Sequence, residues 1–479
     1  VRRTDLAASG KGREWRGNVM KYRYLIVALG FLAAGTAAAA ESPLTDCQKS
    51  VQEGDYQNAV RACLTDCENG TGAACFNMGA IHGDGLGVPQ DYTRARSFFE
   101  KGCNLGNGDS CASLGSIYES GSGIPQDYAV ARSFYQKACE FNDGSGCSSL
   151  ALLHIQGLGT DQDYATARKY LEKSCSLSDG DGCANLGIAY SNGHGGIQDP
   201  RKAAELFEKA CEMKSSLGCA GLALVFENGQ GRDQDYKKAR KYYRLSCNYG
   251  RGDSCASLAV LFENGSGGKK DLRQAVLYAD KGCSYGSGKS CAFLGYLNYN
   301  GLGTDRDSWK AAAFYDRACS LNAGDGCFSL GLMFSGIGNS EAYFFRKAGD
   351  LYDRACSLGD YRGCVNLGAL YYDGKGMPQD FEKALGYYDL ACNAGVALGC
   401  ANIGGYYATR EDYGNAAGAY DKACSLDDGG ACFILAGFYA DGKANSPEGR
   451  NAADYYRRAC ELGVSESCQD NGSGVEQPQ

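Results

Sequence analysis

The chain of 479 residues contains only three His and seven Pro. Structural metal centres pair closely spaced cysteines with one another or with His. With so few imidazoles no metal is expected here, and no cofactor. Positive charge is also in deficit. Lys and Arg number 48 against 56 Asp and Glu, a net charge of −8 with pI near 5.2. That balance provides no broad basic surface for a phosphate backbone, so nucleic acid is not an expected partner. Beyond the N-terminal region no stretch is long and apolar enough to span a bilayer. What the chain has instead is 69 Gly, 33 Tyr and 26 Cys. Ordinary globular domains do not use that mixture, and it points to a repeated unit.

Near the N-terminus, Met20, Lys21, Tyr22 and Arg23 form a short basic region, Tyr24 to Ala34 is apolar, and Ala38, Ala39 and Ala40 precede Glu41. Basic, apolar and small-residue segments in that order read as an export signal. No cysteine follows the apolar run, as a lipoprotein would require, so no membrane anchor is expected after cleavage.

The cysteines carry the organisation. Twelve pairs share one spacing: Cys67 with Cys75, Cys103 with Cys111, Cys139 with Cys147, Cys175 with Cys183, Cys211 with Cys219, Cys247 with Cys255, Cys283 with Cys291, Cys319 with Cys327, Cys356 with Cys364, Cys392 with Cys400, Cys424 with Cys432 and Cys460 with Cys468. From Cys67 to Cys319 they recur every 36 residues; one later interval is 37 and another 32. Such a period marks a solenoid of helix pairs. Within the unit CASLGSIYESGSGIPQDYAVARSFYQKAC, Leu114, Ile117 and Tyr118 share one helical face, and Tyr128, Ala131, Phe134 and Tyr135 share another. Between these two helices, A and B, Gly121 and Gly123 break the first and Asp127 caps the second. Asp91, Asp163, Asp199, Asp235, Asp271, Asp307 and Asp380 repeat that cap. Tyr92, Tyr128, Tyr164 and Tyr236 are expected in the core, and the Gly or Ala after each Leu is expected to let neighbouring backbones approach.

A helical hairpin can bring the ends of a nine-residue loop within disulfide reach. Pairing within each loop is the economical connectivity, and the remaining Cys47 and Cys63 then close an N-terminal hairpin. Each short bridge contributes about 2 to 3 kcal/mol in the chain-entropy account, and the even count with an export signal indicates an oxidising compartment. The expected organisation is an upstream extension at 1–19, a signal peptide at 20–40, a helical hairpin at 41–66, an all-α solenoid of eleven full repeats at 67–468 and a polar tail at 469–479. The product is expected to be a secreted or periplasmic monomer.

The combined pattern of Cys-Ala, Leu-Gly, a Gly loop, the Asp cap and a closing Ala-Cys resembles the Sel-one-like repeat, a relative of the tetratricopeptide repeat. Its disulfide-tied form is similar to the Helicobacter cysteine-rich protein family over roughly residues 44–468. That resemblance implies a secreted superhelix that binds protein or peptide in a concave groove. It places Asn77, Asn185, Asn366 and Asn402, with Ser113, Ser149, Ser257 and Ser329 in other units, on the groove wall. It also implies penicillin binding or β-lactamase activity, with a cell-wall peptide or β-lactam as ligand.

The residues themselves support the first implication better. A serine β-lactamase needs Ser-x-x-Lys opening a helix, together with Ser-Asp-Asn and Lys-Thr-Gly. Ser266 and Lys269 match the first element but fall in a Gly loop, and Lys-Thr-Gly is absent. His82 and His154 occupy a slot that is Tyr118, Tyr190, Tyr371 or Phe226 elsewhere, so they read as aromatic substitutions. The Arg-Gly-Asp triplet at 251–253 and the GSGKS at 286–290 occupy the same inter-unit loop in register, so each reads as a repeat hinge before it reads as a receptor or phosphate motif.

Overall fold

The computed structural model describes residues 45–337, 341–445 and 450–468. The segments read above as extension, signal peptide and tail lie outside the described residues. The described chain is an all-helical solenoid of helix pairs with one disulfide per repeat, and it contains no strand among the described residues. It divides into two compact units, residues 1–249 and 250–479.

The first unit holds α1 (Asp46–Glu53), α2 (Tyr56–Glu68), α3 (Gly72–Asp84), α4 (Tyr92–Asn104), α5 (Gly108–Ser120), α6 (Tyr128–Glu140), α7 (Gly144–Gln156), α8 (Tyr164–Ser176), α9 (Gly180–Asn192), α10 (Pro200–Glu212), α11 (Ser216–Asn228) and α12 (Tyr236–Asn248). The second holds α13 (Gly252–Asn264), α14 (Leu272–Ser284), α15 (Gly288–Asn300), α16 (Ser308–Ser320), α17 (Gly324–Ile337), α18 (Ala342–Ser357), α19 (Tyr361–Asp373), α20 (Phe381–Asn393), α21 (Ala397–Ala408), α22 (Tyr413–Ser425), α23 (Gly429–Ala440) and α24 (Ala452–Glu461), closed by a 3-10 turn at Ser465–Cys468. From α3 onward, odd-numbered helices are A and even-numbered helices are B.

Local chemistry sets the boundaries. The Asp127 carboxylate accepts from the backbone N–H groups of Ala129 and Val130 at 2.9 and 3.0 Å, which starts α6. The A–B loop is held by a side chain that sequence reasoning missed. Gln126 Nε2 donates to the Glu119 carbonyl at 2.6 Å and to the Tyr128 hydroxyl at 2.9 Å. Gln90, Gln162 and Gln234 make the same two contacts in their own loops.

That clamp corrects the expectation for Tyr92, Tyr128, Tyr164 and Tyr236. They stand at the first residue of helix B with their hydroxyls at the loop, half-buried, and Tyr92 is 38% exposed. The core rings come from two or more turns further along helix B, among them Tyr135, Tyr243, Tyr315, Tyr352 and Tyr388. The small residue after each Leu also serves a different end from the one expected. A Cβ on Gly115 would lie 2.5 Å from the ring of Tyr135, and one on Gly368 would lie 2.7 Å from that of Tyr388. An aromatic face of helix B, rather than a neighbouring backbone, fills the space that glycine leaves open. The Tyr135 hydroxyl then donates to Glu119 at 2.6 Å, so the buried ring keeps a satisfied polar tip.

Repeats are tied in series by the disulfides, and the connectivity is the one expected from the loop spacing. Cys47 is joined to Cys63 across the α1–α2 hairpin. In the first unit Cys67 is joined to Cys75, Cys103 to Cys111, Cys139 to Cys147, Cys175 to Cys183 and Cys211 to Cys219. In the second unit Cys283 is joined to Cys291, Cys319 to Cys327, Cys356 to Cys364, Cys392 to Cys400, Cys424 to Cys432 and Cys460 to Cys468. Their Cα–Cα distances run from 4.4 Å at Cys175 and Cys183 to 5.0 Å at Cys460 and Cys468, within the span a relaxed bridge requires. Cys247 and Cys255 are also disulfide-bonded, and no cysteine among the described residues is free. From Cys75 to Cys432 the second cysteine of each loop lies in the first turns of an A-helix, and it is fully buried at Cys147, Cys183, Cys219, Cys291, Cys327, Cys364, Cys400 and Cys432. The bridges are therefore part of the core as well as covalent ties.

Candidate functional site

The titratable residues that sequence reasoning examined for chemistry are taken up by the fold. His82 stacks on Phe98 with ring centroids 5.5 Å apart, and His154 on Tyr170 at 5.8 Å. The same slot holds Tyr118 on Phe134 at 5.6 Å, so these imidazoles are aromatic packing groups. Burial pushes both below the usual imidazole range, with Arg94 adding to the effect at His82. His194 lies on Tyr164 at 4.5 Å. Among the described residues no three or more His, Cys, Asp or Glu side chains come together as metal ligands. Ser266 and Lys269 sit in the loop between α13 and α14, outside any helix. A cavity of about 230 Å³ near the C-terminal end is lined by Asp421, Arg450, Tyr455 and Arg458, whose polar groups are spent on one another and on Asp427 and Glu461.

The two short motifs are parts of helix starts. Gly252 and Asp253 belong to the first turn of α13, and the Asp253 carboxylate accepts from Ser287 Oγ at 2.6 Å. Arg251 is the extended residue that precedes α13, and its two neighbours are helical and tied to the next repeat through Asp253. In the second motif Ser287 caps α15 by accepting from the Ser290 N–H at 3.1 Å, and Ser290 Oγ donates to the Gly252 carbonyl at 3.0 Å. Both hydroxyls are used within the chain.

The asparagines of the expected groove wall lie on A-helices in different surroundings. Asn185 is only 7% exposed, and its amide donates to Ser148 Oγ at 3.3 Å. It lies inside the helix stack rather than on its open face. Asn77, Asn366 and Asn402 are half-buried. Asn77 Nδ2 lies 3.5 Å from Cys47 Sγ, and Asn366 hydrogen-bonds Tyr352.

One turn beyond those asparagines is a slot that sequence reasoning passed over. Five residues after the second cysteine stand Leu152, Ile188 and Leu224 in the first unit, and Val260, Tyr296 and Leu332 in the second. Leu224, Val260, Tyr296 and Leu332 are 48%, 36%, 42% and 44% exposed, unusual for side chains of this kind on a helix that is otherwise core. Their regular 36-residue spacing was the available signal. Around them are uncharged groups: Ser257 and Asn264 on α13, Phe293 and Asn300 on α15, and Ser329 on α17. The charges of these helices lie toward their ends, where Glu263 pairs with Lys270 at 3.5 Å. The B-helices instead carry runs such as Lys237, Lys238, Arg240 and Lys241 on α12. The open A-face therefore offers an apolar centre between hydroxyls and amides.

A family model for the Sel1 repeat matches residues 72–107, 108–141, 144–179, 180–215, 216–249, 252–287, 288–322, 362–396 and 430–464. This chain belongs to the Sel1 repeat family. Among solved structures, this Sel1 repeat protein is similar to a protective antigen of uropathogenic Escherichia coli strains displaying an SLR fold, at 23% identity over 86% of this chain and 88% of the other, with a TM-score of 0.48. It is similar to a Sel1 repeat protein from Oxalobacter formigenes at 18% identity over 79% of this chain and 96% of the other, TM-score 0.46. Helicobacter pylori cysteine rich protein B is 33% identical over 27% of this chain and 93% of its own, TM-score 0.23. No curated protein matches the chain.

Proposed function

We propose that this Sel1 repeat protein is an exported, monomeric, disulfide-reinforced scaffold that binds a protein or peptide along the open face of its A-helices. The observation that carries this reading is the uncharged A-face with an apolar side chain at one slot in successive repeats. A surface of that kind favours association by apolar burial and asks for no catalytic group. Repeat proteins of the Sel1 and tetratricopeptide type mediate protein interactions. The thirteen disulfides point to an oxidising environment, in keeping with the periplasm or the cell exterior. Asn77, Asn366 and Asn402 are the amides we assign to a ligand backbone, since a side-chain amide can both donate and accept. Penicillin hydrolysis draws no support from Ser266, which lacks the helical turn that would set Lys269 against its hydroxyl. A cell-wall peptide remains within the same binding reading.

The test uses the oxidised protein against an immobilised library of unstructured peptides. Replacing Asn77→Ala and Asn402→Ala together is expected to weaken retained peptides about tenfold, equivalent to roughly 1.4 kcal/mol, with an unchanged melting temperature. Binding that is unaffected rejects the groove assignment. In parallel, a chromogenic cephalosporin is expected to survive incubation. Turnover abolished by Ser266→Ala would replace the scaffold reading with a hydrolytic one.

A further inference from the structure

The bridges are not equally sheltered. From Cys63 to Cys432 the second cysteine of every bridge lies within a helix and is 0% exposed. Thiol–disulfide exchange needs a thiolate to reach a disulfide sulfur, so its rate depends on access. At these bridges access requires a helix to move, which makes exchange wait on local unfolding of the repeat.

Cys460 and Cys468 are joined in different surroundings. Cys460 stands in the last turn of α24, and Cys468 ends the 3-10 turn Ser465–Cys468 instead of entering an A-helix. Both are half-buried. Among the described residues this is the one bridge with neither cysteine in the buried core. Cys356 is also half-buried, but its partner Cys364 is 0% exposed.

The helix that carries Cys460 is held by contacts that do not involve the bridge. Tyr455 and Ala459 are buried in one core cluster with Ala431 and Leu435 of α23. The Tyr455 hydroxyl donates to Asp421 at 2.7 Å, and Arg458 pairs with Asp427 at 2.6 Å. The turn has its own tie, since the Val464 N–H donates to the Ala459 carbonyl at 3.0 Å and Ser467 is buried. Opening the S–S bond therefore leaves α24 packed and keeps the two sulfurs near one another, so the bridge can close again.

We propose that Cys460–Cys468 is a thiol-exchange site, at which a low-molecular-weight thiol adds reversibly to the folded chain while the other bridges stay closed. The incoming thiolate forms a bond to one sulfur of the bridge as the Cys460–Cys468 bond breaks. The electron pair leaves on the other cysteine as a thiolate, which takes a proton from water. The products are one mixed disulfide and one free thiol. Attack of that thiol on the mixed disulfide restores the bridge and expels the small thiolate.

The test incubates the full oxidised chain with free cysteine at mildly alkaline pH. Samples are quenched in acid at intervals, free thiols are alkylated, and each bridge is followed by peptide mass spectrometry. Cysteine adducts and alkylated thiols are expected at Cys460 and Cys468 at a rate at least about tenfold above that at Cys424 and Cys432, as direct access against access through local unfolding requires. Mild urea should accelerate exchange at Cys424 and Cys432 and leave the rate at Cys460 and Cys468 nearly unchanged. Removing the cysteine should return the bridge, and hydrogen exchange on the adduct should show α23 and α24 as protected as before. Equal rates at all bridges, or an earlier opening of another bridge, overturns the proposal. So does a urea-dependent rate at Cys460 and Cys468, or lost protection in α24, since either makes unfolding the gate. Cys460→Ser with Cys468→Ser should abolish the early adduct, and an early adduct that persists would place the site elsewhere.

Discussion

Gly231→Ala tests how the repeats are held together away from their disulfides. Gly231, the second glycine of its loop, has φ +81°, and a Cβ there would fall 2.1 Å from the carbonyl oxygen of Pro200 and 2.5 Å from its carbonyl carbon. The obstacle is the backbone at the start of α10, which cannot turn aside as a flexible side chain can. Gly106 has the same φ of +81°, yet its nearest atom is Phe141 Cε1 at 3.8 Å. Both alanine variants therefore carry the left-handed backbone cost of about 1 to 2 kcal/mol. Only Gly231→Ala must also push the loop away from α10, an overpacking cost of about 1 to 3 kcal/mol. The expected losses are about 1 to 2 kcal/mol for Gly106→Ala and about 2 to 5 kcal/mol for Gly231→Ala. Urea unfolding of the oxidised proteins, followed by circular dichroism, compares the two. A repeat array need not unfold in one step, so hydrogen exchange should also show protection lost around α10 to α12 in Gly231→Ala alone. Equal shifts in the two variants would refute the steric argument and leave backbone strain as the whole effect.

Removing one bridge by Cys103→Ser with Cys111→Ser opens a loop whose ends are eight residues apart. It is expected to cost about 2 to 3 kcal/mol. Exchange should rise first in α4 and α5, and unchanged protection there would contradict the account. Asp109 gives a pH test. Burial of its carboxyl, and then the neighbouring Asp143 carboxylate, pushes it up to about 6 from 3.8. The folded form holds a proton that the unfolded carboxyl has released, so the stability it contributes is full below about pH 4 and lost as pH rises through about 6. Asp109→Asn should thus raise the urea midpoint at neutral pH and leave it nearly unchanged below about pH 4. Asp109 as a residue is exposed to solvent, so the gain will be much smaller than full burial would produce. An equal gain at both pH values would reject the linkage.

The repeat unit was legible because the interactions that define it are short in sequence. Asp127 caps Ala129 and Val130 within its own turn, and Gly121 ends α5 with φ +71°. Each loop disulfide, such as Cys139 with Cys147 or Cys356 with Cys364, spans eight residues. Even the histidines could be placed, since His82 and His154 stand in register with Tyr118. The candidate site was less legible. The asparagines share a register, yet Asn185 is buried against Ser148, 37 residues away, while Asn402 is half-buried. The apolar residues near Tyr296 were periodic in the sequence, but periodicity alone does not separate a core slot from an open one.

By itself, then, the sequence determined the repeat length, the helix boundaries and the disulfide ladder, all consequences of contacts within a few residues. Only the tertiary structure decided which ring fills the space beside Gly115, that Tyr128 serves the loop clamp rather than the core, and that Val260, Tyr296 and Leu332 remain uncovered. Those outcomes depend on side chains meeting across helices and across neighbouring repeats, where burial is set by the packing of adjacent helices and not by the pattern within one.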